Sequence, residues 1–173
     1  MPGAVVGKKL NLGYVGKVTR DADLIIDARV TSDTAGEAPI LFGAPVFLND
    51  DNTYRNIKTT DTTIAKFAGV AVAEVKQSTS YIDGKAQYEA NQLCDVVTRG
   101  TVIVPVSGTP KAGGKVFLRY TTVGATVFTS GKVGDFEAAA DTGNVELTNV
   151  RFTTGYKDAN GVAEITILNK NVI

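Results

Sequence analysis

The chain has 173 residues, 43% apolar and 21% charged, a composition that builds a hydrophobic core rather than staying disordered. Its 18 basic and 18 acidic residues cancel, which argues against a polyanion binder relying on clustered excess Lys and Arg. Histidine and tryptophan are absent and Cys94 is the single cysteine, so the commonest acid–base group, an intrachain disulfide and a cysteine-based zinc site are excluded.

The opening stretch, "MPGAVVGKKLNLGYVGKVTRDAD", is Gly-rich, mildly basic and without sustained alternation. It is expected to form an extended N-terminal arm over residues 1–23, either frayed or ordered on a neighbouring subunit, with Tyr14 and Val18 available for burial. Its charges follow a very short apolar patch, unlike a signal peptide, and no run approaches the ~18 apolar residues that would span a membrane. A single β-rich domain is expected over residues 24–173.

Periodicity in that domain is two rather than 3.6. In "LIIDARVTS", Leu24, Ile26, Ala28 and Val30 alternate with Asp27, Arg29 and Thr31, the pattern of a half-buried strand. Strand patterns follow at 44–50, 67–75, 94–106, 115–120, 125–130, 144–152 and 162–169. The turn signals "NDDN", "YIDGK", "GTPKAGG", "DTGN" and "KDANG" separate them. Helix is scarce, with short candidates at 59–69 and 135–141. These elements predict an all-β fold with little helix: an antiparallel β-barrel or β-sandwich, tulip-like or jelly-roll-like. The echo of "GAPVFL" in "GGKVFL" is explained by shared strand chemistry.

The stretch "VIVPVSGTPKAGGKVFL" has the glycine spacing of a phosphate loop, but Gly114 stands where Lys is required and Val116 where a metal-binding hydroxyl belongs. No helical stripe follows, so the loop reads as a strand connection, with Pro110 and the Gly113–Gly114 pair shaping the turn. Pro105 argues against a central strand position. The acidic stretches "NDDN" and "DADLIID" lack the ligand order of a calcium loop, and turn chemistry explains the first without a metal. Cys94, with no histidine to activate it, reads as a small buried apolar residue. The Phe117, Arg119, Tyr120 and Arg151, Phe152 groups fit strand core and rim better than base stacking. No catalytic, cofactor or metal residues are therefore assigned, and the profile is that of a structural or interaction module rather than an enzyme.

Several segments, in order, resemble the cement, or head-decoration, proteins of tailed bacteriophages. They are "GYVGKVTRDADLIIDARV", "ILFGAPVFLND", "IAKFAGVAVAEVKQ", "YEANQLCDVVTRGTVIVPV", "AGGKVFLRY" and the closing "VGDFEAAADTGNVELTNVRFTT…GVAEITI". The chain departs from the family pattern at Glu89 to Asn91, where a glycine is common. The resemblance implies a non-enzymatic virion protein that is made in the bacterial host cytoplasm and binds the outside of the head. It would reinforce capsomer junctions, with the major capsid protein and itself as partners, as a trimer in preference to a dimer, and with neither nucleic acid nor membrane. On that reading the contact residues are Val5, Val6, Leu10, Leu12, Tyr14 and Val18 in the arm, then Asp50, Asp51, Asn52, Tyr54, Arg55, Pro110 and Lys111 in two loops. Each loop is also explained as a solvated turn. The alternative is a glycan-binding β-sandwich of a tail, fibre or cell surface, which usually shows exposed Trp near polar loops.

Overall fold

The computed structural model describes residues 11–73 and 86–170. They form β1 (Val18–Val30), β2 (Ile40–Leu41), β3 (Pro45–Leu48), β4 (Tyr54–Arg55), β5 (Phe67–Ala71), β6 (Gln87–Tyr88), β7 (Leu93–Ser107), β8 (Lys115–Arg119), β9 (Phe136–Glu137), β10 (Asn144–Lys157) and β11 (Val162–Ile167). The fold is all-β, as the alternating patterns predict, with no helix among the described residues.

Its centre is β7, a strand of 15 residues that serves two cores. The C-terminal half of β7 pairs with β11, β11 with β10, β10 with β8, β8 with β9, and β9 returns to β7, closing a ring. Every contact in the ring is antiparallel except the short one between β7 and β9. The ring is filled by alternate branched aliphatic and aromatic residues, including Val102, Val104, Leu118, Phe136, Phe152 and Ile165, all buried. The N-terminal half of β7 instead lies between β1 and β5, and β3 and β4 continue the sheet beyond β5. A bridge from Thr31 to Tyr54 brings the end of β1 to β4. Beneath lies the second core, Ile40, Val46, Tyr54, Ala68, Ala71, Tyr88, Cys94 and Val96, to which the small β2–β6 sheet contributes Ile40 and Tyr88. Cys94 is buried there. Adjacent residues of β3 serve different cores: Val46 enters the second, while Phe47 enters the first and meets the Phe67 ring edge-on at 5.9 Å between centroids.

Both helix candidates and one strand candidate are corrected, because side-chain hydrogen bonds or strand pairing take those segments over. In 59–69, the Asp61 carboxylate accepts from the Arg55 guanidinium and the Lys58 backbone N–H, and Phe67 is drawn into β5. In 135–141, Phe136 and Glu137 form β9 instead. The expected strand at 125–130 is a loop, since the backbone N–H groups of Thr126 and Phe128 both donate to Asp141. The loop after β7 is a strand connection: Gly114 donates to the Lys111 carbonyl, and Gly113 and Gly114 exchange bonds with Phe152 of β10. Pro105 does sit inside β7, at a position whose ladder partner is Val162 of β11, so its missing N–H interrupts no second ladder among the described residues.

Candidate interaction surface

The β1 strand alternates as its sequence predicts, but its sides are reversed. Leu24 packs against the main core, whereas Ile26, Ala28 and Val30 are exposed, Ile26 at 41% and Val30 at 44%. The polar side turns inward: Thr31 is buried, and Asp27 and Arg29 are half-buried. Thr31 donates to the Glu89 carbonyl at 2.5 Å and accepts from the Gln92 N–H at 3.1 Å, while Arg29 lies 5.7 Å from the centroid of the Tyr54 ring. Polar partners at the rim of the second core therefore determine which side of β1 is covered. Val30 stands opposite Leu93 in the ladder, so the two share a face, and Leu93 is 61% exposed. Fully burying a side chain of this size is worth about 1.5–3 kcal/mol, of which this face, about half exposed at Ile26, Val30 and Leu93, leaves roughly half for a partner to recover.

The residues expected to make contact are dispersed. Val5, Val6 and Leu10 lie outside the described residues. Leu12 is half-buried and donates its N–H to Asp158 at 3.3 Å. Tyr14 is exposed, with the Lys17 ammonium 6.0 Å from its ring centroid. Val18 opens β1 opposite Val102 and packs on the main core. The sheet thus begins well before Leu24, and Gly16 bonds Ile103 and Ala73. In the "NDDN" turn Asp50, Asp51 and Asn52 are exposed, Asp50 pairing with Lys66 at 2.8 Å and Asp51 accepting from Thr53. Tyr54 and Arg55 are a correction: both are buried, Tyr54 in the second core and Arg55 against Asp61, so neither is presented to a partner. Pro110 is buried too, leaving Lys111 exposed beside it. The sequence reading missed Leu93 and placed Ile26, Ala28 and Val30 on the covered side, because alternation defines two faces without saying which one is covered.

The buried charges are used internally. Arg119, fully buried at the end of β8, contacts Glu137 through Nε at 2.5 Å and Asp141 through a terminal nitrogen at 2.8 Å. Burial alone would raise the Asp141 carboxyl, but the N–H groups of Thr126 and Phe128 and the Arg119 guanidinium hold it well below the usual carboxylate range. Glu37 is similar: burial opposes ionisation, yet Lys58, Ser32 and Asn49 bring its pKa from 4.5 down to about 2. A depressed folded-state value means stability that is complete above the unfolded value and lost as pH falls toward the folded one. The melting temperature is therefore expected to fall between pH 4.5 and 2, and Glu37→Gln is expected to lower it at pH 7 while narrowing the difference between pH 7 and 3. Melting curves of both proteins at the two pH values check this, and an unchanged difference counts against it. Among the described residues no three or more His, Cys, Asp or Glu side chains gather where they could hold a metal ion.

An all-β body that spends its buried charges on internal staples and leaves apolar side chains exposed on one sheet face belongs to the class of structural β-proteins. The chain is a member of the phage structural cement protein family, whose model, described as structural cement protein (E217 gp24/Pam3 gp6), matches residues 2–168. It is a structural protein of the phage virion and not an enzyme. Among solved structures, it is similar to a chain of "The capsid of Myoviridae Phage XM1", with a TM-score of 0.68, 17% identity and 98% of each chain covered. No curated protein matches significantly.

Proposed function

We propose that this chain binds the outer face of an assembled phage head and cements the junctions between capsomers, with the major capsid protein as its partner. The observation that carries the reading is the exposed face of Ile26, Ala28, Val30 and Leu93, apolar apart from the half-buried Asp95 opposite Ala28, on a member of the cement family. Such a face recovers hydrophobic free energy when a partner covers it, and a rigid sheet presents it at low ordering cost. The loop residues Asp50, Asp51, Asn52 and Lys111 form a polar rim in this proposal. The arm contact is assigned to Val5, Val6, Leu10 and the exposed Tyr14, because residues 16–18 are already engaged with β7 and its neighbours. Several copies acting together on one shell raise avidity by about 10²–10⁴-fold, so that pressure from within must break many contacts at once.

Co-sedimentation with empty shells tests the reading. The Val30→Lys/Leu93→Lys double variant is expected to keep its melting temperature, since both side chains are exposed, and to lose at least about tenfold in shell affinity. Undiminished binding by this variant would remove the β1–β7 face from the interface. Absence of shell binding by the unaltered chain would remove the cement role altogether.

A further inference from the structure

We propose that residues 4–10 of this chain fold back into an apolar groove on their own body, walled by Pro39, Leu41, Pro105 and Val133, where the Ala4, Val5, Val6 run is held until the shell takes it over. The inference deepens the cement reading, and only the transfer to the shell rests on that reading.

The groove has a volume of about 410 Å³ and lies between the turn joining β2 to β3 and the loop 132–135. Its walls are apolar and open: Pro39, Leu41, Pro105 and Val133 are all exposed, Leu41 at 57% and Val133 at 37%. The polar groups around it are spent within the fold. Asn56 donates its amide to the Pro39 carbonyl at 2.7 Å, the Ala44 N–H donates to the Leu41 carbonyl at 3.1 Å, and the Gly134 N–H donates to the Arg119 carbonyl at 2.8 Å. The Asp135 carboxylate accepts from the Lys132 N–H at 2.7 Å. Pro39, Pro45 and Pro105 have no N–H to offer. A sugar or nucleotide finds few partners in such a site, whereas small branched apolar side chains recover hydrophobic free energy there.

The occupant follows from where the chain enters. A Cβ added to Gly43, which lines the groove, would stand 2.1 Å from Cγ1 of Val15, so residue 15 lies directly against it. Leu12 donates its N–H to Asp158 at 3.3 Å, in the β10–β11 turn that also contains Gly161. Gly161 and Pro105 line an adjoining hollow, which shares Lys132 and Asp135 with the groove. The described residues therefore begin, at Asn11, beside the mouth of this joint cleft. Residues 1–10 precede that point, and ten extended residues reach at most about 33–36 Å. Their sequence, MPGAVVGKKL, sets an uncharged Ala-Val-Val run between two glycines, which suits the chemistry of the groove. A short tether raises the effective concentration to about 1 mM, so a segment whose free peptide binds with a Kd of about 0.1 mM is docked about 90% of the time. Docking covers the valines on the free chain, and the shell takes the arm by binding it more tightly than the groove does.

Disulfide trapping of the purified full chain, without shells, tests the proposal. Val133→Cys is combined with Val5→Cys in one variant and with Val6→Cys in another, since neighbours in an extended chain point to opposite sides. At least one of the two is expected to form an intrachain disulfide on mild oxidation, about tenfold above Val30→Cys paired with the same arm residue. Val30 is exposed but stands at the far end of β1. The native Cys94 is buried and gives little background. Crosslinking no better than the Val30→Cys control overturns the docking, and a covalent dimer in its place overturns docking on the chain's own body. The peptide MPGAVVGKKL provides a second measurement. It is expected to bind a chain lacking residues 2–9 with a Kd of about 0.1 mM and the full chain about tenfold more weakly. Val133→Asp in the shortened chain is expected to weaken the peptide by about tenfold. A Kd above about 1 mM for the shortened chain, the result if residues 74–85 fill the groove instead, overturns the proposal. Adding empty shells is expected to lower the crosslinking yield about threefold, and an unchanged yield overturns the transfer. A chain that crosslinks yet does not sediment with shells loses the cement role and keeps the groove, so the two failures are distinguishable.

Discussion

Arg119→Met is expected to lower the free energy of unfolding by about 3–5 kcal/mol, because it leaves two carboxylates buried without their counter-ion. All five guanidinium N–H groups are used. Nε and one terminal nitrogen contact Glu137 at 2.5 and 3.1 Å, the same terminal nitrogen reaches Asp141 at 2.8 Å, and the other donates to the carbonyls of Thr121 and Thr142 at 3.1 and 3.2 Å. The side chains of Arg119, Glu137 and Asp141 are all fully covered, so water cannot replace the lost donors without opening the site. Met fills a similar volume, which separates loss of charge from loss of packing. The site also has a topological role. It ties the end of β8 to β9 and to the loop preceding β10, where the barrel ring is narrowest in paired residues. Amide exchange at Thr126 and Phe128, whose N–H groups depend on Asp141, is therefore expected to speed up before the rest of the sheet opens. Lys66→Met is the control: its pair with Asp50 is exposed and is expected to be worth less than about 1 kcal/mol. Urea unfolding at pH 7 measures both, and equal small losses would rule out the staple.

Gly69→Ala is expected to cost about 3 kcal/mol, at the upper end of overpacking penalties. A Cβ on Gly69 would stand 2.0 Å from the carbonyl oxygen of Val97 and 2.9 Å from a methyl of Val96. The obstacle is the backbone of β7, which is held by β1 on its other side and cannot shift without disturbing both cores. Gly69 also marks the irregularity in the β3–β5 ladder, opposite Val46, where Phe47 and Phe67 turn into the main core. Gly113→Ala provides the comparison. Nothing lies within 4 Å of its added Cβ, and only its left-handed φ of 70° opposes the change, for about 1–2 kcal/mol. Thermal unfolding of the two variants distinguishes steric from conformational cost, and similar shifts would count against the close approach of β5 to β7.

Several features of this protein are determined by its sequence alone. Period-two alternation through "CDVVTRGTVIVPV" and "VAEITILN" commits these residues to strands, because β-branched side chains at that spacing can cover a sheet but not a helix. The order of strand and turn segments carries the family, and the absence of histidine removes the most common catalytic chemistry. The tertiary structure alone decides which of two faces is covered. Ile26, Ala28 and Val30 read as core, yet Thr31 and Arg29 find partners at Glu89, Gln92 and Tyr54, and the apolar side is left outward. It also decides which charges matter, since Arg119 and Asp141 are separated by 22 positions and nothing local marks them as one buried cluster. Short segments such as 125–130 go the same way: one distant carboxylate supplies the hydrogen bonds that local propensity would have sought from a neighbouring strand. The physical reason is common to all three cases. Propensity and periodicity are properties of neighbours along the chain, whereas burial and ion pairing are properties of neighbours in space, and a strand with two plausible faces is resolved only by the second.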